Sequence, residues 1–180
     1  MKLSNIKRLT LTALCVTLCI VLPMAFHSIP NAGSVMLPMH IPVLLCGLVC
    51  GWHYGLLCGL LGPLLSSVLT GMPMAAILPG MMVECSVYGC VSGLMMMFIR
   101  TGFLYVDLYI SLPVAMLMGR VLSGIVKAVI LTPGMNFNVW VTASFVTALP
   151  GIAIQLALLP TLIVALTRAG LIPGRYAVRA

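Results

Sequence analysis

The chain has 180 residues, of which 62% are hydrophobic and 6% charged, with 2 acidic and 9 basic residues and a mean hydropathy of +1.24. Soluble domains carry about a quarter charged residues, so an ordinary globular domain is excluded and the composition predicts an all-α polytopic membrane protein of one domain. A formal charge of +7 would suggest nucleic acid in a soluble protein, but these basic residues gather at the chain ends and in one short loop, which is a topology signal, and no nucleic acid partner is expected.

A bilayer core about 30 Å thick needs about 20 helical residues, and Gly, Pro and polar breaks divide the sequence accordingly. The N-terminal stretch Met1 to Pro23 starts basic and turns apolar, as a leader would, yet Leu18 to Phe26 offers no small-residue cleavage site; it reads as a retained span over 9–26. After a loop from His27 to Leu37, residues 38–70 are apolar except at Gly51-Trp-His-Tyr-Gly55. One helix of that length would extend about 50 Å, so two short spans, 38–50 and 55–70, are predicted. The turn at Thr70 to Pro73 leads into a span over 74–99. Spans over 103–131 and 139–167 follow, separated by a loop at Thr132 to Asn138, with 168–180 as a tail.

Basic residues test the split near Gly51. With six spans Lys2, Lys7, Arg8, Arg100, Arg168, Arg175 and Arg179 fall on one side, which the positive-inside rule makes cytoplasmic; five spans would divide them three against four. Six transmembrane helices with both termini cytoplasmic is the expected topology, with the membrane lipid itself a partner.

Gly47, Gly51, Gly55 and Gly59 recur every fourth residue, a spacing that lets helices approach closely in lipid; with the turn at 51–55, only Gly47 and Gly59 are expected to be packing sites. No Lys or Ser/Thr stands in P-loop register behind them. The seven cysteines, Cys15, Cys19, Cys46, Cys50, Cys58, Cys85 and Cys90, all lie in apolar runs without a Cys-x-x-Cys pair. They read as buried free thiols rather than as disulfides or a zinc site, and no cofactor is expected.

Glu84, Arg120 and Lys127 fall within spans, where each costs about 3 kcal/mol unless paired or wet. Counted from the outer helix ends, Glu84 lies about 15 Å deep and Arg120 about 16 Å, so the two can meet. Lys127 shares the face of Arg120 two turns nearer the outside, with Gly124 leaving room. Asp107 is expected to pair with Arg100 at the other end. Two readings stay open. In one, an outward-open cavity between the fourth and fifth helices holds an anionic small molecule beside Glu84, Arg120 and Lys127, with Tyr88 and Gln155 lining its floor and His27, Asn31, His40, Asn136 and Asn138, the last just before Trp140, converging on the same outer end. In the other, Glu84 and Arg120 form a buried ion pair and Lys127 snorkels to the interface. His27 and His40, with Met24, Met36, Met39, Met72 and Met74 nearby, offer soft ligands for copper or haem iron, although 14 methionines in so apolar a chain cluster there as filler.

The length, the six spans, the small residues from Ala13 to Thr17, Pro38-Met-His-Ile-Pro-Val-Leu-Leu-Cys-Gly47, Gly51-Trp-His-Tyr-Gly55 and Gly62-Pro-Leu-Leu-Ser-Ser-Val-Leu-Thr-Gly-Met-Pro73 together resemble the substrate-binding S component of energy-coupling factor (ECF) transporters. The resemblance implies a non-enzymatic, membrane-embedded module that captures a vitamin or similar micronutrient. It also implies a transmembrane coupling subunit and two cytoplasmic ATPases as partners, with Ala13 and Thr17 at the docking position on the first helix. Thr17 stands where the family often has a second Ala. Cobalt and nickel members use an N-terminal Met-His, whereas Met39-His40 is internal. The surplus cation beside Glu84 favours a carboxylate ligand, a pantothenate-like vitamin first and haem next. A self-sufficient secondary carrier would show paired, interrupted halves, and an intramembrane enzyme a His-Glu-x-x-His or nucleophile constellation; neither pattern is present.

Overall fold

In hydrocarbon no water is available to an unpaired backbone N–H or C=O, so a chain this apolar must close its hydrogen bonds within helices. The computed structural model describes residues 3–25, 35–131 and 136–176, and these form an all-helical bundle. α1 runs Asn5–Ala25, α2 His40–Cys50, α3 Trp52–Thr70, α4 Leu78–Phe98 and α5 Leu104–Val126, which continues as a π-helical turn Lys127–Leu131. The last rod is composite: α6 (Phe137–Val141), a π-helical turn Thr142–Val146, and α7 (Leu149–Arg168). Of these six rods, five are long and apolar enough to cross a bilayer.

The second is not. α2 has 11 residues, about 17 Å of helix, or roughly half the bilayer core. Its hydrophobicity serves a different solvent: Val43, Leu44, Cys46 and Leu48 are buried by protein, and α2 packs against α1, α3, α4 and α7. The longer helices instead show apolar side chains outward, such as Leu57, Leu61, Leu64 and Val68 on α3 and Tyr109, Leu117 and Ile125 on α5, as expected where the outer solvent is lipid.

The break between α2 and α3 is a single residue. Gly51 has φ +99°, a conformation that costs a side-chain-bearing residue about 1 kcal/mol or more, and the chain re-enters a helix at Trp52. The expected five-residue turn is therefore corrected: Gly55 lies inside α3, buried and engaged in packing. A Cβ on Gly55 would run into the Gly89 carbonyl of α4, one on Gly89 into that of Gly55, and one on Gly93 into the backbone of Trp52. The ladder of small residues thus continues through the turn and meets a second one on α4, so that α3 and α4 touch backbone to backbone.

All seven cysteines are free, and all but half-buried Cys90 are buried. They fill the seams between helices, with the Cys46 thiol 3.6 Å from Thr12 Oγ1 of α1 and that of Cys19 3.6 Å from the Met39 carbonyl. At the opposite end from the acidic site described below, Asp107 is fully buried. Its partner is not Arg100, as its place near the loop suggested, but Arg175, whose Nε lies 2.9 Å from Oδ2. Tyr176 donates to the same oxygen, and Thr101 donates to Oδ1 from its backbone N (3.0 Å) and its hydroxyl (2.7 Å). Asp107 thereby ties the C-terminal tail to the 99–103 loop, a contact 68 positions away in sequence that local charge patterning cannot reveal.

Candidate functional site

Glu84 sits within the first two turns of α4 (Leu78–Phe98) and gathers four side chains. Oε1 accepts from the Tyr88 hydroxyl one turn on (3.3 Å) and lies 3.7 Å from His40 Nε2 at the start of α2. Oε2 accepts from Ser123 on α5 (3.4 Å) and lies 3.7 Å from Lys127 Nζ. His40 is buried and meets the Tyr88 ring edge-on with centroids 5.1 Å apart. Three glycines make this convergence possible: a Cβ on Gly80 would strike the Lys127 stem, one on Gly119 the Tyr88 ring, and one on Gly124 the Trp140 ring. The room beside Gly124, expected for Lys127, is filled by Trp140, and Lys127 crosses α4 at Gly80 instead.

The anticipated ion pair of Glu84 with Arg120 is replaced by another division of labour. Lys127 takes the carboxylate, while buried Arg120 turns toward the last rod, donating from Nη1 to the Ser144 carbonyl and placing its guanidinium 5.9 Å from the centre of the Phe145 ring. Its Nε and Nη2 are buried with no hydrogen-bond partner among the described residues. His40 Nδ1 and Gln155 Oε1 share that condition. Gln155 Nε2 reaches the Leu37 carbonyl at 3.4 Å. Leu37 carries φ +51°, strained for a branched residue, and its carbonyl also accepts from the His40 backbone N, so this turn aims His40 into the site. Both π-helical turns border the site, Lys127 opening one and Ser144 lying within the other; such turns recur at functional positions because they re-aim side chains and carbonyls.

The structure thus brings together Glu84, Tyr88, His40 and Lys127, with Arg120 alongside, Gln155 behind the Leu37 turn, and half-buried Trp140 against Gly124 and 5.9 Å from Phe145. Asn136 and Asn138 do not join: both are exposed, and Asn136 Oδ1 accepts from the Asn138 backbone N as a local helix cap. His27 and Asn31 lie outside the described residues. Ser123, Ser144, Phe145 and Leu37 are additions. Ser123 was findable, being three residues after Arg120 and four before Lys127 and hence on the same helical face; the others depend on long-range packing. Among the described residues no group of three His, Cys, Asp or Glu side chains is placed to hold a metal ion.

The bundle of apolar rods thus carries a polar cluster with two cations and one carboxylate where α4, α5 and the π-helical turn after α5 meet. The family model for the ECF transporter substrate-specific component matches residues 7–165. The chain belongs to that family. The match includes every element from α1 to most of α7, and with it the whole Glu84 network. No curated protein and no solved structure matches the chain. S components are transport binding subunits and not enzymes, and they sit in the cell membrane. In this S component Ala13 and Thr17 lie on the exposed face of α1, with the Thr17 hydroxyl returned to the Ala13 carbonyl (3.0 Å). That bond hides the threonine's polarity and leaves a smooth, small-residue stripe toward the lipid.

Proposed function

We propose that this S component captures a small carboxylate-bearing, vitamin-like molecule, pantothenate-like in chemistry, from the outer side of the membrane. The observation that carries the proposal is Arg120. A buried guanidinium with two nitrogens unpartnered among the described residues is costly in a low-dielectric site, and the network holds two fixed cations, Arg120 and Lys127, against the single carboxylate of Glu84. A ligand carboxylate supplies the missing charge and accepts from the guanidinium fork in the geometry that makes such pairs strong. The His40 and Gln155 groups left open nearby match hydroxyl and amide functions on the same molecule. Extracting the small molecules that accompany the protein through detergent purification and identifying them by mass spectrometry tests this. An anionic compound near one equivalent is expected; a neutral or cationic one would refute the assignment.

The seven basic residues outside the site support an orientation with both termini and the Arg100 loop in the cytoplasm. In that orientation Glu84 and Lys127 face the outside. The family supports a coupling subunit and two cytoplasmic ATPases as the energising partners, with the Ala13 and Thr17 stripe as the contact on α1, since small residues let a partner helix approach closely. Replacing Ala13 and Thr17 together by Leu is expected to abolish co-purification with the coupling subunit while leaving ligand binding within about twofold of wild type. Undiminished assembly would remove this stripe from the interface.

A further inference from the structure

Away from the Glu84 network, the end of the bundle where α1 begins, α4 ends and the tail returns contains two adjoining open recesses of about 310 and 550 Å³. Both are lined by Arg8, Arg100 and Arg175. Among the described residues no acid lines either recess; Asp107, fully buried behind Arg175, is paired with it, and Arg175 further donates to Met96 Sδ and the Ile99 carbonyl. The other two arginines are uncommitted. Arg8 is half-buried with its Nε enclosed and without a hydrogen-bond partner among the described residues, and Arg100 is exposed with no partner among them. The walls below are apolar, formed by Leu48, Leu104, Ile163 and Ile172.

We infer that this recess binds the phosphate headgroup of an anionic glycerophospholipid. Two unmatched guanidinium groups call for an anion, and phosphate oxygens accept from Arg in forked geometry. The apolar floor beneath the arginines calls for an amphiphile, with its glycerol and first methylenes against Leu48 and Ile172. Basic pockets between transmembrane helices on the cytoplasmic side meet a leaflet whose lipids carry that combination. The inference rests on the cytoplasmic orientation proposed above for the Arg100 loop. Lipid bound there would brace α1 against the end of α4 and the tail, at the opposite end from the substrate.

The test uses the full-length protein in detergent, titrated with dioleoylphosphatidylglycerol or dioleoylphosphatidylcholine and read by native mass spectrometry. Phosphatidylglycerol is expected to be retained about thirtyfold better than phosphatidylcholine, with the R8A/R100A variant losing that preference and R8K/R100K, which keeps the charges but not the forks, retaining only part of it. Should the double variant fail to fold, Arg100→Ala alone, at an exposed position, is expected to lose about fivefold. Equal retention of the two lipids, or an undiminished preference in R8A/R100A, would overturn the proposal. Displacement of the lipid by millimolar inorganic phosphate would also overturn it, in favour of a soluble anion. So would loss of coupling-subunit assembly in R8A/R100A with lipid retention unchanged, in favour of a protein contact. Tryptic cleavage after Arg100 in intact cells would instead refute the orientation, leaving the retention result to judge the recess.

Discussion

Arg120→Ala is expected to weaken binding of the carboxylate ligand proposed above, with pantothenate as the probe, about a hundredfold, because truncating one partner of a buried, hydrogen-bonded charge pair costs about 2–5 kcal/mol and each 1.4 kcal/mol is tenfold in affinity. The substitution removes the guanidinium whose Nε and Nη2 stand open and also its hold on the Ser144 carbonyl in the last rod. Arg120→Lys keeps the charge but not the fork, so a loss of about tenfold is expected for it. Lys127→Ala is expected to cost less than Arg120→Ala, since Lys127 is 28% exposed and its charge is partly screened. Isothermal titration of the three variants ranks them. Unchanged affinity in Arg120→Ala would remove the charge-based site, whatever ligand is eventually found.

Gly89→Val is expected to destabilise the bundle by about 3 kcal/mol, at the upper end of what overpacking usually costs. A Cβ there meets the Gly55 carbonyl and Cα, which are backbone atoms of a helix that cannot rotate away as a side chain would. The reciprocal Gly55→Val carries the same cost, and the two together should cost less than their sum because they disturb one contact. Gly51→Ala is the informative control. Its Cβ meets open space, so only its backbone conformation, φ +99° with extended ψ, is penalised, by about 1–3 kcal/mol. Thermal unfolding in detergent separates these cases. A Gly89→Val protein with the melting temperature of the parent would show that α3 and α4 do not pack backbone to backbone.

The contrast between Gly51 and Gly55 shows what the sequence made legible. A four-residue glycine period announces close helix packing, and the mean hydropathy announces lipid, so the helical bundle and the presence of a tight break near residue 51 followed from pattern alone. Which glycine turns and which packs did not, because both roles require the same absent side chain and only the partner helix decides. The same limit appears at the site. The spacing of Arg120 and Lys127 on one helical face, and the depth match with Glu84, were readable from the 1.5 Å rise per residue. Their pairing was not. Gly80 opens a passage for the Lys127 stem, and a π-helical turn presents the Ser144 carbonyl to Arg120; neither feature has a local signature. Asp107 makes the point most plainly: Arg100 was the near candidate by sequence, and Arg175 took the bond through the folding back of the tail.

A carboxylate ligand also gives the division between Lys127 and Arg120 a purpose. Lys127 lies against Glu84 within the protein, and under the function proposed above this leaves the α5 to last-rod seam, where Arg120 and Trp140 both approach Phe145, as the face expected to receive the anion. An aromatic wall beside a guanidinium excludes water and strengthens the pair. Ala13 and Thr17 lie on a different helix, α1, so the proposed capture site and the proposed coupling contact are expected to respond to separate substitutions.

The central claim, a site selected for negative charge, is tested most directly by titrating the purified protein with pantothenate and with its alcohol analogue, in which CH₂OH replaces the carboxylate. Pantothenate is expected to bind at least about a hundredfold tighter, with Arg120→Ala erasing most of the difference. Equal affinity for the two compounds, or tighter binding of the alcohol, would contradict it.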